Sequence, residues 1–204
     1  MRSILKDALI LFAITAVAGI LLAVVNEVTK EPIAAQKQAA VEAACKEVFP
    51  EASSFEEREI VSDVKATAYS QLQQSSPKNS VDRIYEAKDA SGACLGYVLN
   101  LTNKEGYGGN IRFSMGVTTD GTVTGLSILE TGETPGLGLQ AESVLVPQFA
   151  GRKADRFTYV KGGGASAENE VDAISSATIT TRAFVNGVNF GLEFFRNVIG
   201  EGTF

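Results

Sequence analysis

Residues 110–130, NIRFSMGVTTDGTVTGLSILE, hold two β-like runs on either side of Asp120-Gly121. An Asp-Gly pair between such runs is a strong local signal for a hairpin, because both residues tolerate the positive φ that a tight turn demands. Just upstream, DRIYEAKD (82–89) turns through Ala90-Ser91-Gly92 into CLGYVLNL (94–101), which reads as a second hairpin. Together the four runs predict a twisted antiparallel sheet with one face buried.

The elements around this sheet are helical. TITTRAFVNGVNFGLEFFRNVI (178–199) carries Ile179, Ala183, Phe184, Val188, Phe190, Leu192, Phe194, Phe195, Val198 and Ile199 as a broad apolar face at helical spacing, and predicts a C-terminal helix lying on the sheet. Between them, Gln140–Ala150 reads as a short helix interrupted at Pro147, and RFTYV (156–160) as another strand. Helices flanking an antiparallel sheet make the class α+β. The stretch from Glu51 to Ser80 is polar, and QLQQSSPKNS within it reads as a surface loop or connection.

At the other end of the chain, Ala8–Val25 is an uncharged run of 18 residues. As a helix it reaches roughly 27 Å at about 1.5 Å per residue, just enough to span a membrane. Arg2 and Lys6 precede it, whereas Lys30 beyond it is accompanied by Glu27 and Glu31, so the charge bias favours a cytoplasmic N-terminus with the rest of the chain outside. A cleaved signal peptide is the competitor, but the run is long for one and NEVTKEP after it offers no small-x-small cleavage site. Past Pro32, the alanine-rich IAAQKQAAVEAACKEVF continues as a helical stalk to Pro50. The expected organisation is 1–30 N-terminus and single transmembrane helix, 31–80 stalk and connecting segment, and 81–204 the domain that carries the chemistry.

Composition removes whole classes of chemistry from that domain. The 204 residues include no histidine, so Ser-His-Asp and Cys-His pairs and histidine metal sites are excluded. A net charge of −6 without a basic stretch argues against a nucleic-acid partner. Cys45 and Cys94 are too few for a zinc site and too far apart for a Cys-x-x-Cys pair; they read as two small buried thiols or as one disulfide. No metal site is expected.

Three loops are candidates for chemistry. KGGGASA (161–167) is formally a G-x-G-x-x-A, but ENEVDA after it lacks the apolar helix a dinucleotide fold needs, so a surface loop is the better reading. TGETPGLGLQ (131–140) places three glycines and a proline at the end of a strand, as in a simple turn or a main chain that approaches a ligand closely. DAISSATITTRA (172–183) gathers Ser175, Ser176, Thr178 and Thr180 where polar loop gives way to apolar helix. Ser175 or Ser176 is expected to cap that helix, and the free amides of its first turn form a site that favours phosphate. Asp172 repels a phosphate there unless it binds a cation or fixes a neighbouring loop.

GYGGNIRFSMGVTTDGTVTGLSILETGETPGLG followed by DAISSATITTRA resembles the FMN-binding domain of RnfG and NqrC, the membrane-anchored flavoprotein subunits of the Rnf complex and of the sodium-pumping NADH:quinone reductase. The resemblance covers the anchor and most of the chain from about Tyr97 onward. In that family Asp-x-x-Ser/Thr-Gly-Ala-Thr is a flavinylation signal whose last Thr is joined to the phosphate of FMN by a transferase that uses FAD. The signal falls on Asp172, Ser175, Ser176, Ala177 and Thr178, with Thr178 as the attachment residue and Ser176 standing where the family usually has Gly. The second family motif falls on Glu133, Thr134, Pro135, Gly136, Leu137 and Gly138, implied to line the flavin site together with Tyr107.

The resemblance thus implies a membrane-anchored electron carrier with covalent FMN on Thr178. It relays electrons inside an Rnf-type ferredoxin:NAD oxidoreductase coupled to sodium or proton translocation, with the flavin domain outside the cytoplasm. Its implied partners are the other membrane subunits, the flavin transferase and membrane lipid, and no independent catalysis is expected of it. An NqrC-type subunit, a flavoprotein of another extracytoplasmic electron-transfer chain and a non-redox anchored scaffold are the alternatives.

Overall fold

The structure is a computed structural model that describes residues 2–59 and 63–200. The chain divides into two compact units, residues 1–40 and 41–204. The first consists of the N-terminal part of helix α1 (Arg2–Val48), whose apolar side chains, among them Leu9, Phe12, Ile14, Leu21 and Leu22, are exposed. Within α1, the part Ile4–Val48 contains an 18-residue window apolar enough to cross a membrane. Pro32 lies inside the helix rather than in a first turn.

The second unit is built on five strands: β1 (Ser54–Arg58), β2 (Asn79–Lys88), β3 (Cys94–Gly106), β4 (Gly109–Thr118) and β5 (Val123–Thr131). They pair in sequence order, every neighbour antiparallel. Both expected hairpins are present, as β2–β3 and β4–β5. Each turn is tied by an aspartate: Asp89 accepts the Ser91 and Ala93 amides, and Asp120 accepts the Thr118 hydroxyl. That hydroxyl bond first, then the Lys153 and Thr122 contacts, hold the Asp120 carboxyl well below the ordinary carboxylate range. Gly92 and Gly121 supply the positive φ.

Helix α2 (Asp63–Ser75) precedes β2. It takes in the QLQQS that reads as loop, because Tyr69 and Leu72, one turn apart, pack into the core that the C-terminal helix shares. The Tyr69 ring meets Phe194 edge-on at 5.4 Å, and its hydroxyl accepts the Val81 amide at 3.1 Å. After β5 the chain makes short helical turns, with α3 at Ala141–Val144 and another turn at Val146–Gln148 containing Pro147. It then forms a small parallel pair of β6 (Thr158–Val160) and β7 (Glu170–Asp172) before α4 (Thr178–Phe194), which ends in a wider π-type turn, Phe195–Ile199.

Contrary to a sheet buried on one face, both faces carry a cover. On one, α4 brings Phe184 to stack on Phe113 with centroids 4.8 Å apart, and Gly187 and Gly191 let the helix come close. A Cβ on Gly187 would stand 2.9 Å from the Phe113 ring, and one on Gly191 2.4 Å from the Met115 methyl. On the other face, Cys45, Val48 and Phe49 form a second apolar cluster with Tyr85, Ala87 and Val98. Gly116 is paired with Gly125 across β4 and β5, so the sheet has a trough there. Phe49 fills it, 3.1 Å from the place a Gly116 Cβ would occupy and 2.7 Å from that of Gly96.

Cys45 and Cys94 are free thiols, so the disulfide alternative is not realised. Burial, reinforced by Glu42, pushes the Cys45 thiol from 9.0 up to about 11.

Phe49→Ala empties the trough, and thermal unfolding of the detergent-solubilised protein should show a loss of about 3–5 kcal/mol; an unchanged transition would contradict the packing. At Cys45 the thiolate is the reactive form, and a shift of this size lowers its fraction at pH 8 roughly hundredfold. Iodoacetamide should therefore modify Cys45 in the folded protein at least that much more slowly than in urea, and equal rates would refute its burial.

Candidate functional site

Helix α4 starts with Thr178, and the residue before it, Ala177, has the non-helical backbone of a cap (φ −128°, ψ 49°). The expected serine cap is absent: the cap position is Ala177, which makes no side-chain cap bond, and Ser175 and Ser176 are exposed. The reason lies in the turn that feeds the helix. The Ala177 amide bonds the Ile174 carbonyl at 3.2 Å, which closes a four-residue turn, and Ser176 takes φ +62° inside it. This points both serines outward. Thr181 fastens the junction instead, its hydroxyl donating to the Ala177 carbonyl at 3.0 Å and accepting the Ile174 amide at 3.1 Å. Ser176 is the non-glycine residue with positive φ among the described residues, in the turn position where glycine is favoured.

The amides of Thr178, Ile179 and Thr180 have no helical carbonyl to bond, as in any first turn. These residues border a cavity of about 500 Å³, lined by Tyr107, Glu133, Thr134, Leu137, Gly138 and residues 176–180. That volume is in the usual range for small-molecule sites. A second cavity of about 240 Å³, between Lys78, Glu105, Arg156 and Glu193, is smaller and involves none of the motif residues.

Three segments make the walls. The first is the tight turn between β3 and β4, where Tyr107 is 71% exposed. The second is the segment after β5, and the third the first turn of α4. Glu133 connects all three. Its side chain is buried, its Oε1 accepts the Gly108 amide at 3.2 Å and its Oε2 accepts the Thr180 hydroxyl at 2.7 Å. Glycine is required around it: a Cβ on Gly138 would lie 2.4 Å from Oε2, one on Gly106 2.7 Å from Oε1, and one on Gly108 1.9 Å from the Gly132 carbonyl.

Of the residues singled out from the sequence, Tyr107, Glu133, Thr134, Leu137, Gly138, Ser176, Ala177 and Thr178 border the cavity, whereas Asp172, Ser175, Pro135 and Gly136 do not. Gly136 serves the turn by its positive φ (74°). Asp172 fixes a loop: its Oδ1 accepts the Ala165 amide at 2.9 Å at the end of the triple-glycine segment, and Gln148 bonds its backbone on both sides. Two cavity residues are additional. Ile179 is 44% exposed and faces the cavity rather than the core its helical spacing predicts. Thr180 is among the hydroxyls noted at the helix start, but its partner lies 47 residues earlier and no local pattern announces it.

Residues 106–193 match the family of FMN-binding domains, and residues 1–48 match the RnfG N-terminal region. The G subunit of the sodium-translocating ferredoxin:NAD oxidoreductase complex of Acetobacterium woodii is 35% identical over 198 residues, covering 97% of this chain and 94% of that protein. Its proton-translocating counterpart from Clostridium ljungdahlii is 32% identical, covering 92% and 93%. Among solved structures, NqrC of Shewanella oneidensis aligns with a TM-score of 0.50 at 28% identity over 58% of this chain and 59% of that one. The C subunit of the sodium-translocating NADH-quinone reductase of Parabacteroides distasonis shares the fold with a TM-score of 0.52 at 20% identity, over 74% and 80%. This chain, with its apolar N-terminal helix and its cavity at the start of α4, belongs to the RnfG family of ion-translocating oxidoreductase complex subunits.

Proposed function

We propose that this protein is the membrane-anchored FMN carrier of an Rnf-type ferredoxin:NAD oxidoreductase, with FMN joined through its phosphate to Thr178. The observation that carries the reading is the meeting, in one cavity of about 500 Å³, of Thr178, the first turn of α4 and the side chains of Tyr107, Leu137 and Ile179. A phosphate at Thr178 is stabilised by amides without helical partners and by the positive end of the helix, an effect of roughly 0.3–1 kcal/mol at an exposed site. Tyr107, Leu137 and Ile179 give a flat aromatic group apolar surface to lie on. The residues present therefore fit FMN.

Attachment forms a bond from the Thr178 oxygen to phosphorus and releases the hydroxyl proton. With FAD as donor the pyrophosphate bond breaks and AMP leaves. Bound FMN supplies the electron acceptor and donor, and the protein supplies position and electrostatics. Thr178 retains the group, the α4 amides hold its phosphate, and Glu133 fixes the walls. None of these roles needs a general acid or base, in keeping with a chain that has no histidine.

The apolar part of α1 serves as a single-pass anchor, oriented with Arg2 and Lys6 on the cytoplasmic side and the flavin domain on the other. The other membrane subunits of the complex, the flavin transferase and membrane lipid are its partners. The domain division proposed is the anchor and N-terminal part of α1 to residue 40, and the flavin domain beyond it.

Expressed together with a flavin transferase, the protein should show flavin fluorescence after denaturing electrophoresis, and Thr178→Ala should lose it entirely. A dark wild-type band would sink the covalent reading; fluorescence in the variant would move the attachment elsewhere. Ser176→Gly should keep the flavin and gain about 0.5–1 kcal/mol of stability by relieving the positive φ. A loss of stability would show that the serine side chain compensates its backbone conformation.

A further inference from the structure

Glu133 is a buried acidic side chain. It is 5% exposed, and among the described residues it has no arginine or lysine partner. Two neutral donors hold it, the Thr180 hydroxyl at 2.7 Å and the Gly108 amide at 3.2 Å. Gly106 and Gly138 leave room for it: a Cβ on Gly106 would stand 2.7 Å from Oε1 and one on Gly138 2.4 Å from Oε2. Packing an unpaired carboxylate is costly where an uncharged side chain of the same shape would do. It borders the cavity, within reach of a charge that changes there.

We propose that Glu133 is a potential-setting residue: its fixed negative charge lowers the midpoint potential of the flavin carried in this cavity. Reduction adds negative charge to the flavin or requires a proton to offset it, and a buried anion beside the site disfavours that change. The carboxylate acts on the flavin through its field, while its two hydrogen bonds keep it in place. This inference rests on the reading of the cavity as the FMN site.

The test compares Glu133→Gln, which keeps the shape and loses the charge, with Glu133→Asp, which keeps the charge and loses reach to the two donors. Both are made in the full-length protein matured with the flavin transferase, and the midpoint potential is read by redox titration of the flavin-bearing fraction alone. The expected result is a positive shift in the Gln variant and a clearly smaller one in the Asp variant, whose charge remains while its two bonds are lost. A Gln variant at the wild-type potential overturns the inference, as does an Asp variant shifted as far as Gln, the order that a purely geometric role gives. Loss of flavin from the Gln variant alone overturns it in favour of a role in loading, and misfolding of both variants overturns it in favour of a role in the fold. Wild-type protein without flavin fails the reading of the site itself and is told apart by that control.

Discussion

The bond from the Thr180 hydroxyl to the Glu133 carboxylate, 2.7 Å long and buried, is the constraint on which the site depends. It ties the first turn of α4 to the segment that leaves β5, and the second oxygen of the same carboxylate ties in the turn between β3 and β4. Without it the three walls have no shared fixed point, and the free amides of α4 would face an ill-defined surface. Two of the nearby glycines then have a specific cause: Gly106 and Gly138 make room for a carboxylate that has to reach two other segments, while Gly108 and Gly132 let their two backbones meet.

The sheet can support such a site because it is covered on both faces. Helix α4 lies close to β3 and β4 through Gly187 and Gly191, and residues 45–49 fill the glycine trough on the other side. The helix start is therefore fixed in height over the sheet, and with it the position of Thr178. The same helix serves the fold through Phe184, Val188 and Leu192 and the site through Thr178, Ile179 and Thr180.

Much of this architecture is legible in the sequence. Asp120-Gly121 announces the β4–β5 hairpin, and the spacing of Ala183, Phe184, Val188 and Leu192 announces α4. What is not legible depends on pairing between distant residues. Gly96, Gly116 and Gly125 stand on three strands and form a trough only once the register is set, so the docking of Phe49 leaves no local trace. Helix α2 is polar apart from a few positions such as Tyr69 and Leu72, too few to produce a clear period. The serine cap fails because Ser176 takes a left-handed conformation inside a turn, which a rule based on residue type does not foresee. Asp172, odd beside a phosphate, instead bonds the end of the glycine loop.

In the function proposed, the hydroxyl at the first position of α4 carries the redox group. Fragmentation mass spectrometry of the proteolytic peptide containing residues 172–182, from protein matured in its own membrane, tests it most directly. The account predicts an increment equal to FMN less one water, assigned to Thr178 and to none of Ser175, Ser176, Thr180 or Thr181. An unmodified peptide from flavin-replete cells, or the increment on another hydroxyl, would contradict it.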